Sequence, residues 1–370
     1  MRMWTQGFVI LSVVCTVIVP GCEQSTVDSI HRGGHLFISG QTREAGNGDY
    51  QLWELAPTSG KWSMVHSQAA PIIGMVWSEP SAALIWYEPL EHTLSRFDRD
   101  SGVRSVIRLS GVRPPLKSVS ASPTRPTILM ILCRAAAKVS SESSIKSGVS
   151  LLEIDVDKSR VDALSAPSPN TGDALYDGSG VGMLASEFVE DGDHGQEMYN
   201  FWYRPLEKTL ARVSWPLDVG FVDVEPVRES RKWLLVRRFR KPLPPRRFRS
   251  EILIGTVDGH TETLDVLAGW ARPVGSDAAG FSALLVQFPF LGESGRRDNS
   301  EHILYWPTGH WDLRSEIRLP EGTWAVFDAG LNRQMVALLA RNLHGDSYVV
   351  ICFNLDTRKT RVWSLPFSIR

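Results

Sequence analysis

Seven apolar, β-rich runs recur along the chain at near-constant intervals. They begin at His35 (HLFISGQ), Ala83 (ALIWYE), Thr127 (TILMILC), Gly182 (GMLASEF), Lys232 (KWLLVRRF), Phe281 (FSALLVQF) and Gln334 (QMVALLA). Their starts lie 48, 44, 55, 50, 49 and 53 residues apart. Such a period means that one supersecondary unit is used repeatedly, each copy burying its apolar faces by stacking on the next. Each run is followed by a strand that breaks at a turn rich in Asp, Pro, Ser, Thr and Gly, as in TLSRFDRDSG and EILIGTVDGH. A further strand comes next, as in VRSVIRL, TETLDVL and WDLRSEIRL. The break residues are those that fit tight hairpins. A shorter strand with small side chains precedes most runs: IGMVWS, LKSVSAS, ALYDGS, GFVDVE, PVGSDA and WAVFDAG. The first copy lacks an obvious one, and TVDSI (Thr26 to Ile30) is the candidate.

The unit is therefore a four-stranded meander, and helical periodicity is nearly absent. The apolar strand, Asp-x-x-Ser/Thr-Gly turn and second strand resemble the repeats of β-propellers of the YVTN, WD40-like and quinoprotein-like kinds. The resemblance covers residues 25–370 and is architectural, because WD and GH signatures and the Kelch double glycine are missing. It implies an all-β ring of seven four-stranded blades, with six or eight as alternatives. The small-residue strands would be innermost, where the sheets converge. A closed ring is one domain, assigned to 34–370. It replaces the two or three domains that 370 residues suggest at about 100–200 per domain. Trp53, Trp86, Trp202, Trp233, Trp306 and Trp363 fall within the strands and read as packing between blades.

The N-terminus reads as an address. Arg2 is followed by an uncharged run from Phe8 to Val19, shorter than the ~20 apolar residues that span a bilayer. The run leads into VPGC, ending at Cys22. This resembles the lipobox of bacterial lipoproteins, although Pro20 and Val19 depart from the commoner residues. The resemblance implies a cleaved signal peptide at 1–21, a diacylglycerol on the Cys22 thiol with palmitate as a marker, and a lipidated linker at 22–33. By similarity to Gram-negative sorting, Glu23 in place of an aspartate favours the outer membrane over the inner. Cys133 and Cys352 lie in apolar runs and read as buried free thiols, and no Cys/His cluster suggests zinc.

The connections between second and third strands share one face and are the longer set. Binding surfaces usually sit on long loops of a rigid scaffold. With 40 Lys and Arg against 41 Asp and Glu, no global field attracts a polyanion, so any such attraction is local. The densest basic segment is Arg228 to Arg249. Its candidate binding residues are Arg240, Lys241, Arg246, Arg247 and Arg249, beside Arg237 and Arg238 and around Pro242, Pro244 and Pro245. Arginine forks suit carboxylates and phosphates. A solvated loop is the bland alternative. The acidic EDGDHG segment (Glu190, Asp191, Asp193, His194) lacks the EF-hand pattern and reads as an ordinary loop.

Asp177, Asp223, Asp277 and Asp328 recur near the ends of the small-residue strands. They could ring one mouth of a channel and hold calcium or another divalent metal, as the resemblance to propeller lactonases implies. Hydrogen bonding to a local turn is the competing explanation. GxSxG, HExxH, P-loop and dinucleotide motifs are absent, so no catalytic residue is assigned. The expectation is an exported, lipid-anchored, monomeric binding or scaffolding module for a protein or anionic cell-envelope polymer. It is similar, in address and fold type only, to the propeller lipoprotein of the outer-membrane barrel-assembly machinery. No cofactor and no nucleic-acid partner are expected. The alternative is a hydrolase or lactonase using a channel-bound metal.

Overall fold

The computed structural model describes residues 28–366 apart from 33–34, 42–48, 57–58, 70, 110–114, 134–147, 192–195, 206–209, 216–220, 239–248, 277–279, 292–296, 321–323, 333 and 343–346. The described strands form seven four-stranded antiparallel sheets, each made of four strands consecutive in the chain. Blade 1 comprises Asp28–Arg32, His35–Gln41, Tyr50–Ala56 and Lys61–Gln68, and blade 2 comprises Ile73–Ser78, Ala83–Glu88, Thr93–Asp98 and Arg104–Arg108. Blade 3 is Leu116–Ala121, Thr127–Cys133, Val149–Asp155 and Arg160–Leu164, and blade 4 is Thr171–Tyr176, Gly182–Asp191, Gln196–Pro205 and Ala211–Val213. Blade 5 is Phe221–Pro226, Lys232–Arg238, Arg249–Thr256 and Thr261–Ala268. Blade 6 is Trp270–Ser276, Phe281–Leu291, Arg297–Pro307 and Ser315–Arg318, and blade 7 is Trp324–Asn332, Met335–Asn342, Tyr348–Asn354 and Thr360–Ser364. The chain is a seven-bladed β-propeller.

The second strand of each blade carries an apolar stretch because both faces of the sheet are covered there. In blade 5, Trp233 and Leu235 face blade 4, among Phe201, Tyr203 and Trp215, while Leu234 and Val236 face blade 6, among Ala271, Leu284 and Val286. The same alternation with a period of two divides the core into seven wedges, one between each pair of neighbouring blades. Trp86 and Trp233 are fully buried, and Trp306 nearly so.

Three local expectations shift. WDLRSEIRL does not enter as strand: Trp311–Leu313 is a 3-10 turn, and strand pairing begins at Ser315. Trp311 turns inward to meet Trp306 edge-on, with ring centroids 4.6 Å apart. The innermost strand of blade 4 is Thr171–Tyr176 rather than a run from Ala174, because Asp177 organises the following turn. In blade 6 the innermost strand starts at Trp270, and Pro273, which has no N–H to donate, sits at a register shift. In blade 1, TVDSI does supply the innermost strand, as Asp28–Arg32. The 3-10 turn is the one helical element among the described residues, and no described helix is long and apolar enough to cross a membrane.

Candidate functional site

Neighbouring innermost strands run side by side in the same sense. Between blades 3 and 4, contacts advance in step from Lys117 on Thr171, through Ser120 on Ala174, to Arg125 on Gly180. Between blades 5 and 6 they advance from Asp223 beside Arg272 to the Arg228 amide on Ser276. The first residue of each innermost strand pairs with the far end of the second strand, as Phe221 does with Arg238. Innermost-strand starts therefore lie on the face that carries the connections between second and third strands.

At that face one position repeats around the axis. It lies nine residues before the start of the second strand and is occupied by Ser118 in blade 3, Asp173 in blade 4, Asp223 in blade 5 and Arg272 in blade 6. These side chains knit consecutive blades together. Ser118 Oγ donates to Asp173 Oδ1, which also accepts the Ala174 amide at 2.8 Å. The neighbouring Lys117 donates its Nζ to the Thr171 carbonyl at 2.6 Å. Asp223 accepts from Arg238 Nη2 at 2.8 Å and feels the charge of Arg272. Arg272 reaches on to the carbonyls of Phe327 and Val326 in blade 7, at 3.3 and 3.2 Å. Burial is the largest influence on both carboxyls. It pushes Asp173 and Asp223 upward, against Ser118, Ala174 and Lys117 for the first and against Arg238 and Arg272 for the second.

Aromatic rings accompany these charges on blades 5 to 7. The Arg238 guanidinium lies 5.8 Å from the ring centroid of Trp270, which is 38% exposed. Arg341 lies 5.6 Å from the Tyr348 ring, and that ring meets Phe327 at 5.6 Å.

The three described aspartates of the four singled out in the sequence separate. Asp177, fully buried, follows the far end of its innermost strand and is occupied by the turn. Its Oδ1 accepts Val181 N (3.0 Å) and Ser179 Oγ (2.7 Å), and its Oδ2 accepts Gly182 N (3.0 Å) and Tyr203 Oη (2.8 Å). Asp223 lies near the opposite end of its strand, and Asp328 sits mid-strand, accepting the Ala329 amide at 2.6 Å. Asp277 lies outside the described residues. Among the described residues, no three His, Cys, Asp or Glu side chains gather as a set that could hold a metal ion.

Of the basic candidates, Arg249 is exposed at the start of its strand, whereas Arg240, Lys241, Arg246 and Arg247 lie outside the described residues. So do Cys22 and the loop residues Asp193 and His194. Arg237 and Arg238, which flank the segment, are paired with Glu251 and Asp223. Cys133 and Cys352 are free thiols, the first partly exposed and the second buried. Lys117, Asp173, Trp270 and Arg272 escaped the sequence reading. The constant offset of nine residues is the signal that would have found Asp173 and Arg272.

No family model matches the chain, and no curated protein sequence does. Solved structures do match. The acylaminoacyl peptidase of Pyrococcus horikoshii superposes with a TM-score of 0.66 at 9% identity, over 91% of this chain and 51% of that one. An oligogalacturonate lyase solved with manganese gives 0.62 at 12% identity, over 90% and 86%. The propeller domain of the Trilobed protease from Pyrococcus furiosus, described as having an open velcro topology, gives 0.62 at 8% identity, over 91% and 97%. The chain spans 64% of the length of TolB from Acinetobacter baumannii and 39% of the tricorn protease, which it also matches. At these identities the likeness establishes the fold alone.

Proposed function

We propose that the chain is an exported, lipid-anchored propeller that acts as a binding or scaffolding module for a protein or anionic envelope polymer. In this reading the face carrying the connections between second and third strands is the binding face. The observation that supports it most is the arc of ionisable groups around the axis at that face, Lys117, Asp173, Asp223, Arg238 and Arg272, bordered by exposed Trp270 and Arg249. A rigid ring holding paired charges beside an exposed aromatic suits recognition of a polar partner. Anchoring through Cys22 rests on the VPGC motif. The hydrolase reading draws no support from the aspartates, since Asp177 and Asp223 stand at opposite ends of their strands.

Site-specific photo-crosslinking in intact envelopes tests the binding face. Probes at Arg249 and Trp270 should capture a partner, and probes in the opposite turns at Lys158 and Arg358 should not. Equal capture from both faces, or none from either, would remove the assignment. Metabolic labelling with a clickable palmitate tests the anchor: label on the wild type and none on Cys22→Ala is expected.

A further inference from the structure

The chain enters the ring on one particular face. Asp28–Arg32 is the innermost strand of blade 1, and Asp28 pairs with Ser39 near the end of His35–Gln41, which is the end that leads to the connection between second and third strands. The strand stands beside Ile73–Ser78 and Trp324–Asn332, the innermost strands of the neighbouring blades, so the entry lies close to the axis. Cys22 is only six residues before Asp28. Fully extended, six residues reach about 20–22 Å. A lipid on Cys22 would therefore hold this face near the bilayer. To lay the opposite face on the bilayer instead, the tether would have to pass outward across three strand spacings of about 4.8 Å and then run down the wall of the blade. The seven residues of His35–Gln41 alone span about 20 Å, which makes the path about 34 Å. The tether is too short for it.

Exposed side chains on the entry face suit a lipid headgroup layer. Leu90, in the connection between Ala83–Glu88 and Thr93–Asp98, is 58% exposed, and Trp270, which opens the innermost strand of blade 6, is 38% exposed. Arg108 closes the outer strand of blade 2 and Arg249 opens the third strand of blade 5, and both are exposed. Glu91, beside Leu90, is an exposed acid on the same face. An indole and an isolated apolar side chain favour the boundary between headgroups and acyl chains, while arginines are drawn to the phosphates of anionic lipids.

We propose that this face docks on the anionic bilayer that holds the Cys22 lipid, with Leu90 and Trp270 entering the headgroup layer and Arg108 and Arg249 meeting lipid phosphates. This docking rests on the reading of Cys22 as the anchor, and it narrows the anionic envelope partner of the binding face to the lipid surface itself. The short tether supplies proximity, and the exposed side chains supply the contact.

Reconstitution of the purified lipidated full chain tests the docking. The vesicles contain phosphatidylethanolamine and phosphatidylglycerol with a trace of lipid carrying a photoreactive headgroup, and the lipid adducts are mapped by peptide mass spectrometry. Adducts should fall on the peptides that contain Leu90, Arg249 and Trp270. They should be missing from those that contain Lys158 and Arg358, which are exposed in turns of the opposite face. Arg108→Gln and Arg249→Gln should each lower the yield about fivefold on these vesicles, the weight of one arginine at an anionic surface, and leave it unchanged on phosphatidylcholine alone. Leu90→Asp should lower it on both. All three side chains are exposed, so the variants keep the fold. Adducts spread equally over both faces, adducts confined to the opposite face, or an unchanged yield in the combined Leu90→Asp and Arg249→Gln variant would overturn the docking. The palmitate label separates the two levels. A labelled protein without adducts on the entry face keeps its anchor and loses the docking; an unlabelled wild type loses both. A protein captured in envelopes by the probes at Arg249 and Trp270, with no lipid adducts in vesicles, gives the face to that protein instead.

Discussion

Trp62 Nε1 donates to the Ser364 carbonyl 3.1 Å away, tying the outer strand of the first blade to the outer strand of the last. Each blade is made of four consecutive strands, so among the described residues no strand is exchanged between the first and last blades. The ring is closed there by side chains: Leu36, Ile38 and Leu55 from blade 1 against Ala337, Leu339, Val350 and Cys352 from blade 7, with Trp62 and Trp363 over them. Gly60 makes room for this cover, since a Cβ there would fall 2.3 Å from Trp363 Nε1 and its φ is +71°.

The first prediction concerns that join. Trp62→Phe should lose about 1 kcal/mol through the missing hydrogen bond, and Trp62→Ala about 1–3 kcal/mol, below the range for a fully buried tryptophan. Gly60→Ala should cost at least as much as the hydrogen bond, because the new methyl group meets both a strained φ and the Trp363 ring. Urea unfolding followed by circular dichroism measures all three. Wild-type stability in Trp62→Ala and Gly60→Ala together would show that the ring is held closed elsewhere.

Asp177 provides a test of turn against metal. Its four acceptor contacts organise the turn between Tyr176 and Gly182 and receive the Tyr203 hydroxyl from the third strand. Asp177→Ala should destabilise by about 2–4 kcal/mol, since several buried donors lose their acceptor at once. Asp177→Asn should recover part of that loss. Millimolar calcium should leave the melting temperature of the wild type unchanged; a calcium-dependent rise abolished in Asp177→Ala would instead restore the metal role.

Much of the architecture was legible because burial on both sheet faces writes itself as uninterrupted apolar runs. Ala83–Glu88 and Thr127–Cys133 are read from the sequence with the bounds at which they fold. What escaped was set by single contacts across blades. Trp311 looks like the opening of a strand, and only its packing on Trp306 turns it into a 3-10 bend. The axial position was hidden differently: Ser118, Asp173, Asp223 and Arg272 differ in size and charge, so pattern by residue type misses them. Only a register anchored on the second strand aligns them. Residue identity alone therefore joins Asp177, just past one end of its strand, with Asp223, near the other end of its own.

The two thiols should differ in reactivity. Burial pushes the Cys352 thiol up to about 12, and the side chain sits in the wedge that closes the ring. A thiolate is the reactive form, so Cys352 should resist a disulfide reagent at neutral pH until the protein unfolds. Cys133, partly exposed at the end of its strand, should react in the folded protein. Mass spectrometry of the modified peptides distinguishes them; rapid labelling of Cys352 in the native protein would mean that the join between first and last blades opens readily.

Asp173 should make stability depend on pH in the direction opposite to a salt-bridged carboxylate. Burial raises its carboxyl above the ordinary range, and the donors from Ser118 and Ala174 and the charge on Lys117 oppose that rise without cancelling it. As pH climbs past the unfolded value of about 3.9, the unfolded chain releases its proton first. The favourable contribution is therefore complete below that value and is lost as pH rises through the higher value of the folded protein. Asp223 on the next blade is displaced the same way, so the wild-type curve alone does not isolate either group. Asp173→Asn removes one of the two. Relative to wild type, the variant should gain stability from about pH 4 upward until the raised value of the folded carboxyl is passed, measured by urea unfolding at a series of pH values. A relative loss over the same window would mean that Lys117 and the hydrogen bonds outweigh burial and hold the carboxylate ionised.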